Sequence, residues 1–444
     1  FRGGMKLPWR PSEAACQLPI GGIRSPSTTR YSVVFLAILA VYNVAAWLLF
    51  GSQYPWRALS ARANVLFVSE LGELLAIWLL WRWVHPGRDI WERIVGILMT
   101  PVYLGTVLAL PAGLLLSGGA QVNPLVLACY ICGGQCLQFA FYALLAHCLS
   151  MCYRFLIGTR LGLMLNKGFF CAALPLAVSV AMTTAGLSGV SSSALSAGRG
   201  IPVRRIDIEL PRLPSSMRGL QVALVSDLHI GPTVGEPDVA GLVTQLNALK
   251  PDVVALVGDL ADTPGTQFLS AAAPLANVQA RLAKVYVTGN HEYLTMRPQA
   301  WIRAVAAAGF QPLANQARRI GGLCLAGVND QFADVATDSA ELHYNLSAAL
   351  SACRPSDAVV LLAHQPSVAK DAISSGANVD LILSGHTHAG QFFPLTILAK
   401  LVFPFNYGYY RVGRYQIFVT SGAMYYGPPL RTLTQQEIAL VRLV

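Results

Sequence analysis

The stretch at residues 31–50, YSVVFLAILAVYNVAAWLLF, constrains this chain more than any other. It is an almost unbroken apolar run, and at about 1.5 Å per residue a helix of this length crosses a hydrocarbon core of about 30 Å. Lipid offers no hydrogen-bond partners, so a backbone crossing it there has to be helical. No small-residue cleavage pattern follows and further apolar runs do, which predicts an anchor rather than a removed leader. Those runs cover residues 63–84, 94–116, 124–149 and 169–190, so the expectation is an α-helical membrane domain of five spans over residues 31–190. Composition agrees: 54% of the 444 residues are hydrophobic and only 12% charged, too apolar for a soluble globular protein of this length. Residues 1–30 are rich in Pro and Gly, carry no fold information, and include Met5 as a candidate start.

A formal charge of +10 would also suit a nucleic-acid partner, but location decides otherwise. Arg24, Arg30, Arg82, Arg88, Arg93, Arg154, Arg160 and Lys167 flank the apolar runs, and no dense basic stretch with interleaved aromatics occurs. The second and fourth connections carry cations, the first holds only Arg57 and Arg62, and the third, at residues 118–123, holds none. By the positive-inside rule the N-terminus is cytoplasmic. An odd number of spans then puts the C-terminal half on the periplasmic or extracytoplasmic side of an inner or plasma membrane. Glu70 and Glu73, inside the second run, call for either a functional role or hydrogen bonding near the bilayer edge or within the bundle. Six of the nine cysteines, Cys129, Cys132, Cys136, Cys148, Cys152 and Cys171, lie in or beside apolar runs. Cys129-x-x-Cys132 has no second pair and reads as small packing residues rather than a redox or zinc site. Whether Cys324 and Cys353 pair is open at this level.

Residues 191–205 form a Ser-, Gly- and Ala-rich linker, and residues 206–444 a second domain. It opens with the period-two pattern Ile206-Asp207-Ile208-Glu209-Leu210, after which short apolar runs alternate with helical stretches, the signature of an α/β domain. The runs at residues 222–225, 253–257, 285–287, 359–362 and 381–383 each lead into a candidate ligand. In order these are Asp227 and His229, Asp259, Asn290 with His291, His364, and His386 with His388. Sites in open α/β sheets form beyond the carboxyl ends of the strands, so these distant residues are expected to converge. Asp227, His229, Asp259, Asn290, His364, His386 and His388 offer seven nitrogen and oxygen donors, too many for one tetrahedral ion. They suit two divalent ions about 3.5 to 4 Å apart that share a carboxylate, the arrangement used for displacement at phosphorus. Mixed imidazole and carboxylate donors without thiolate favour manganese, iron or zinc over magnesium or calcium. Any one motif alone means little, but five of the eight histidines fall in this ordered set. His85, His147 and His343 have no such setting and read as structural or surface residues.

The series D-x-H, G-D, G-N-H-E, H and G-H-T-H resembles that of the calcineurin-like metallophosphoesterases. It looks most like their membrane-associated branch, multi-span proteins with a C-terminal metallophosphoesterase domain. The resemblance covers residues 206–444 and departs at Ala389, where glycine is usual. It implies a four-layer αββα sandwich of two facing mixed sheets with helices outside. It implies one ion on Asp227, His229, Asp259 and His388 and a second on Asp259, Asn290, His364 and His386, with Asp259 as the bridge. His291 would protonate the leaving oxygen or steady the phosphoryl charge. Glu292 is expected to buttress a histidine or the local turn, and Asp262 is a loop, capping or functional residue.

Residues 392–405, FFPLTILAKLVFPF, are too short and too broken by proline to span a bilayer. Directly after two ligands they read as an interfacial flap, with core packing the alternative. Tyr407, Tyr409, Tyr410, Arg411 and Arg414 then suit lipid head groups or phosphate. The expected activity is therefore hydrolysis of a phosphoester or pyrophosphate bond in a membrane lipid or lipid-linked phosphate, a role in lipid metabolism. The alternatives are a phosphodiesterase for soluble nucleotides and a non-enzymatic metal-binding sensor or transporter. His291, beside a full ligand set, speaks against the last.

Overall fold

A computed structural model describes residues 90–116, 121–157, 169–190, 200–262, 266–295 and 297–444, and the third, fourth and fifth apolar runs are helical in it. The first two runs, with Glu70, Glu73 and His85, lie outside the described residues. Helices α1 (Ile90–Leu116), α2 (Pro124–Ile157) and α3 (Leu174–Ser188) follow one another, α3 being led in by a single π-helical turn at Phe169–Ala173. Among the described residues two segments, Pro124–Tyr153 and Phe169–Ser188, are long and apolar enough to cross a membrane. The count of five thus remains an expectation from sequence. Val95 and Met99 of α1 meet Phe139 and Ala143 of α2 and Ala172 of the π-helical turn. Gly105 lets α1 approach α2 closely, since a Cβ there would stand 2.7 Å from Cys132 Sγ. Cys132 is thus a packing residue. Gln135 Nε2 donates to Ser179 Oγ at 2.8 Å, tying α2 to α3.

Among the described residues the second half contains twelve strands, β1 (Val203–Ile208), β2 (Leu220–Val225), β3 (Val253–Val257), β4 (Ala283–Val287), β5 (Gln311–Pro312), β6 (Gln316–Ile320), β7 (Leu323–Gly327), β8 (Ala358–Leu362), β9 (Leu381–Ser384), β10 (Gly408–Val412), β11 (Tyr415–Val419) and β12 (Ile438–Leu443). Its helices are α4 (Glu236–Leu249), α5 (Asn290–Leu294), α6 (Pro298–Ala307), α7 (Ala333–Ala336), α8 (Leu346–Leu350), α9 (Val368–Ser374) and α10 (Leu395–Val402). One sheet runs β1-β12-β2-β3-β4-β5 and the other β10-β11-β9-β8-β7-β6. Both are mixed: β2, β3 and β4 are parallel while β12 is antiparallel to β2, and β8 is parallel to β7 and β9 while β10 is antiparallel to β11.

The apolar runs are continuous because both faces of each strand are covered. Val222, Leu224, Ala255 and Val257 pack against Val360, Leu362 and Leu383 between the sheets. The alternate residues Ala223, Val225, Val254 and Leu256 pack outward on Leu242 and Leu246 of α4 and Trp301 of α6. On the other sheet Val359, Leu361, Ile382 and Ile417 cover Val368, Ala369 and Ala372 of α9. Each fully buried Val or Leu contributes about 1.5 to 3 kcal/mol. The result is the αββα order that the resemblance implied. Cys324 of β7 and Cys353, left open by the sequence, are disulfide-bonded with Cα atoms 5.6 Å apart.

Candidate metal centre

The turns that leave β2 and β3 are hydrogen-bonded to each other: Asp227 N donates to Gly258 O at 3.1 Å and His229 N to Asp259 O at 3.0 Å. The turns after β8 and β9 are joined likewise, Gly385 N to His364 O at 3.0 Å. The two sheets are then stitched together where His386 N donates to the Asp227 carboxylate, 3.2 Å from each oxygen. These turns are strained. Asp227, His229, Asp259, His386 and His388 have φ of +60°, +47°, +52°, +73° and +50°, in the left-handed region that costs an L-residue about 1 to 2 kcal/mol. Glycine precedes the ligands for a different reason: a Cβ on Gly289 would collide with the Asp259 carboxylate, and one on Gly385 with Ser226 Oγ. Ala389, where the resemblance led us to expect glycine, holds φ +53° and ψ 24° and bears that cost itself.

All seven candidate ligands meet in two groups. His388 Nε2 lies 3.0 Å from His229 Nε2 and 3.3 Å from Asp227 Oδ1, while His229 Nε2 is 3.7 Å from Asp259 Oδ2. In the second group His364 Nε2 stands 3.1 Å from Asp259 Oδ2, and His386 Nδ1 is 3.3 Å from His364 Nε2 and 2.9 Å from Asn290 Oδ1. Asp259 belongs to both. Donors bound to one divalent ion at about 2.0 to 2.2 Å stand roughly 3 to 3.5 Å from one another, so this spacing fits two ions sharing one carboxylate.

The electrostatics fit as well. Burial pushes His229 and His388 well below the imidazole range and His386 down to about 3, leaving nitrogen lone pairs free at neutral pH. Two such nitrogens facing at 3.0 Å can share a proton or serve as donors to one cation. Burial opposes both charges of the Asp259–His364 pair, yet their mutual attraction holds Asp259 well below the carboxylate range and His364 well above the imidazole range. Burial, helped by the Asp259 charge, raises Asp227 to about 6. His364 Nδ1–H donates to Val257 O at 2.8 Å, which turns Nε2 toward Asp259.

His291 is buried, 8% exposed, its ring edge-on to His229 at 4.6 Å and to Tyr426 at 4.8 Å. Its backbone N–H donates to Asp259 Oδ1 at 2.9 Å. The fully buried Glu292 carboxylate accepts from the backbone of Gly289, Asp259, Leu260 and Ala261, so it supports the turn that carries Asp259. Asp262 approaches His229, Oδ1 to Nδ1 3.9 Å. His147 is exposed on α2, and His343 Nε2 lies 2.9 Å from Thr337 O, outside the centre.

Residues 392–405 are part core and part exposed: Phe392 is buried and Phe405 packs against the cluster that contains Ile382 of β9 and Ile417 of β11. Ile397, Leu398, Leu401 and Val402 of α10 are 53%, 55%, 79% and 61% exposed, while Thr396 and Ala399 are buried. Phe403 stands edge-on to His386 at 5.6 Å, and Phe393 packs on Phe141 and Tyr142 of α2. The aromatic and cationic group that follows is mostly engaged locally. Tyr407 and Tyr409 donate to Glu437 and Gln416, and Arg414 to the carbonyls of Gly376 and Ala377. Two neighbours of the centre went unseen in the sequence: Tyr426, 5.1 Å from the His229 ring, and Arg431, which donates to His388 O at 2.9 Å. Burial draws Arg431 down to about 10, so it stays charged at neutral pH.

The calcineurin-like phosphoesterase family matches residues 220–390, which carry every one of these ligands. A transmembrane protein with metallophosphoesterase domain from Danio rerio is 40% identical over 252 residues, 53% of this chain and 56% of that protein. Its Bos taurus counterpart is 39% identical over 282 residues, 60% and 61% of the two chains. The chain thus spans little more than half the length of these relatives. An uncharacterized metallophosphoesterase from Aquifex aeolicus is 32% identical over 248 residues, 54% of this chain and 90% of that protein. With a sandwich of this topology, a ligand set of this order and a relative covered almost end to end, the chain belongs to the calcineurin-like metallophosphoesterases.

Proposed function

We propose that this chain is a membrane-anchored phosphohydrolase that uses two divalent ions to cleave a phosphoester or pyrophosphate bond in a lipid-linked substrate at the membrane surface. Asp227, His229, Asp259 and His388 would hold one ion and Asp259, Asn290, His364 and His386 the other, manganese, iron or zinc suiting these donors. When bound, the ions supply Lewis acidity toward phosphoryl oxygens. Water would add to phosphorus and release its proton to solvent as the bond to the leaving oxygen breaks, and His291 would give that oxygen its proton. The backbone bond to Asp259 fixes where His291 stands.

One observation carries the substrate class. The apolar face of α10 is exposed 9 to 14 residues after His388, and Phe393 ties its start to α2, one of two segments among the described residues apolar enough to cross a membrane. An exposed apolar helix beside the centre suits a lipid surface better than water. The disulfide Cys324–Cys353 agrees with an oxidising, extracytoplasmic side.

The test is turnover by the full chain in lipid vesicles, with a polyprenyl or glycerolipid phosphate and a soluble nucleotide ester as substrates. Asp259→Ala and His291→Ala are each expected to lose turnover at least about a hundredfold, with metal lost chiefly from the first. Full activity in both variants rules the enzyme assignment out. Equal turnover of soluble and lipid-linked esters rules out the substrate class alone.

A further inference from the structure

Leu430 and Arg431 connect the apolar helices to the metal centre. Leu430 is fully buried between two glycines. A Cβ on Gly134 of α2 would stand 2.5 Å from Leu430 Cδ1, and one on Gly186 of α3 would stand 3.2 Å from its Cβ and Cδ2. The backbone of Arg431 is fixed to the same helix: its N–H donates to Gly186 O at 3.0 Å, and a Cβ on Gly189 would lie 2.5 Å from its carbonyl oxygen.

The Arg431 side chain runs the opposite way, into the centre, and is 2% exposed. Its guanidinium donates to His388 O at 2.9 Å, to Ser421 O at 2.9 Å and to Met424 O, and lies 3.2 Å from His388 Nδ1. One side chain thus holds a candidate ligand by its backbone carbonyl and lies against its ring; with Nε2 turned to an ion, Nδ1 carries the ring proton and does not accept from the guanidinium. His388 is a residue that needs holding, because its φ of +50° is strained. A planar fork of five donors can reach three carbonyls at once, whereas a lysine has three donors on a flexible stem. Burying a charge is costly, and here the hydrogen-bond partners are carbonyls rather than a carboxylate, as expected of a group kept for position.

We propose that Arg431 is the positioning residue for His388, and that the two apolar helices act on the metal centre through it. The seat of Leu430 between Gly134 and Gly186 sets the Arg431 backbone, and the Arg431 guanidinium sets the imidazole on which one of the two ions depends. This rests on the two-ion reading of the centre, and adds that the helical half is part of the metal site's framework rather than an anchor alone.

The experiment is titration of the full chain with cobalt(II), followed by visible absorption and by metal content after dialysis. The unaltered chain should take two ions. In Arg431→Lys one ion should bind at least about tenfold more weakly while the other is unchanged, the size of effect typical for a residue that orients a ligand. Gly189→Ala, altered outside the centre, should show the same selective loss. Gly133→Ala should keep both affinities, since a Cβ there meets only Thr106 Cγ2 at 3.9 Å. Unchanged affinities in Arg431→Lys, or in a folded Gly189→Ala, overturn the proposal. Equal weakening of both ions overturns it too, because general loosening of the domain would do that. If the unaltered chain itself takes no second ion, the two-ion reading falls first and this proposal with it.

Discussion

Glu292 illustrates at the residue scale how a neighbour of the ligands acts without offering an atom to an ion. Burial, with the Asp259 charge next, raises its carboxyl to about 7, and three backbone N–H groups of the Asp259 turn, with that of Gly289, depend on it. Glu292→Ala leaves those donors buried and unanswered. We expect a loss of about 3 kcal/mol in unfolding free energy, together with weaker metal retention, read by denaturant melts and metal analysis. Unchanged stability would show that water replaces the carboxylate. Its supporting role was legible in the sequence from its place beside Asn290 and His291. What it supports was not, since a turn three strands long in space has no local signature. The same holds for Arg431, whose tie to His388 spans 43 positions. Nor could residue types reveal the left-handed backbone at Asp227, His229 and Asp259, which tertiary hydrogen bonds impose against local preference.

Among the elements, α10 stands apart because it turns four large apolar residues outward on one short helix. Ile397, Leu398, Leu401 and Val402 share the exposed face. Replacing Leu398 and Leu401 together by Glu should leave the melting temperature nearly unchanged, because neither side chain is buried in the fold. The same variant should raise KM for a lipid-linked substrate about tenfold or more while sparing turnover of a small soluble phosphoester, a shift that follows from losing two insertable leucines. Equal effects on both substrates would make α10 a structural lid instead. Strands β2, β3, β8 and β9 could be read from their apolar runs because each is buried on both faces. The two-residue β5 and the short α7 and α8 carry too few residues for any period to register. The place of β12 between β1 and β2 was equally hidden, since it pairs residues such as Val203 and Ile438 from opposite ends of the domain.

At the scale of the whole molecule the open matter is which side of the membrane carries the sandwich, and the disulfide makes it testable. Five apolar runs predict five spans and the alternating cations an N-terminus inside, but the first two runs lie outside the described residues, so the sidedness rests on charge pattern and on Cys324–Cys353. Cys353 is half-buried and belongs to a loop closed over a separation of 29 residues. On the extracytoplasmic side a membrane-impermeant maleimide added to sealed cells should label it only after reduction, and in inverted vesicles, where the sandwich is enclosed, it should stay unlabelled either way. In the same oxidised protein Cys324→Ala with Cys353→Ala should lower stability by about 3 kcal/mol, as expected for opening a loop of that length. The difference should vanish when both proteins are compared under reductant. Labelling of Cys353 without reductant, confined to inverted vesicles, would place the sandwich in the cytoplasm and remove the bond from the native protein. The metal centre would then face cytoplasmic substrates, and soluble nucleotides would become the stronger choice.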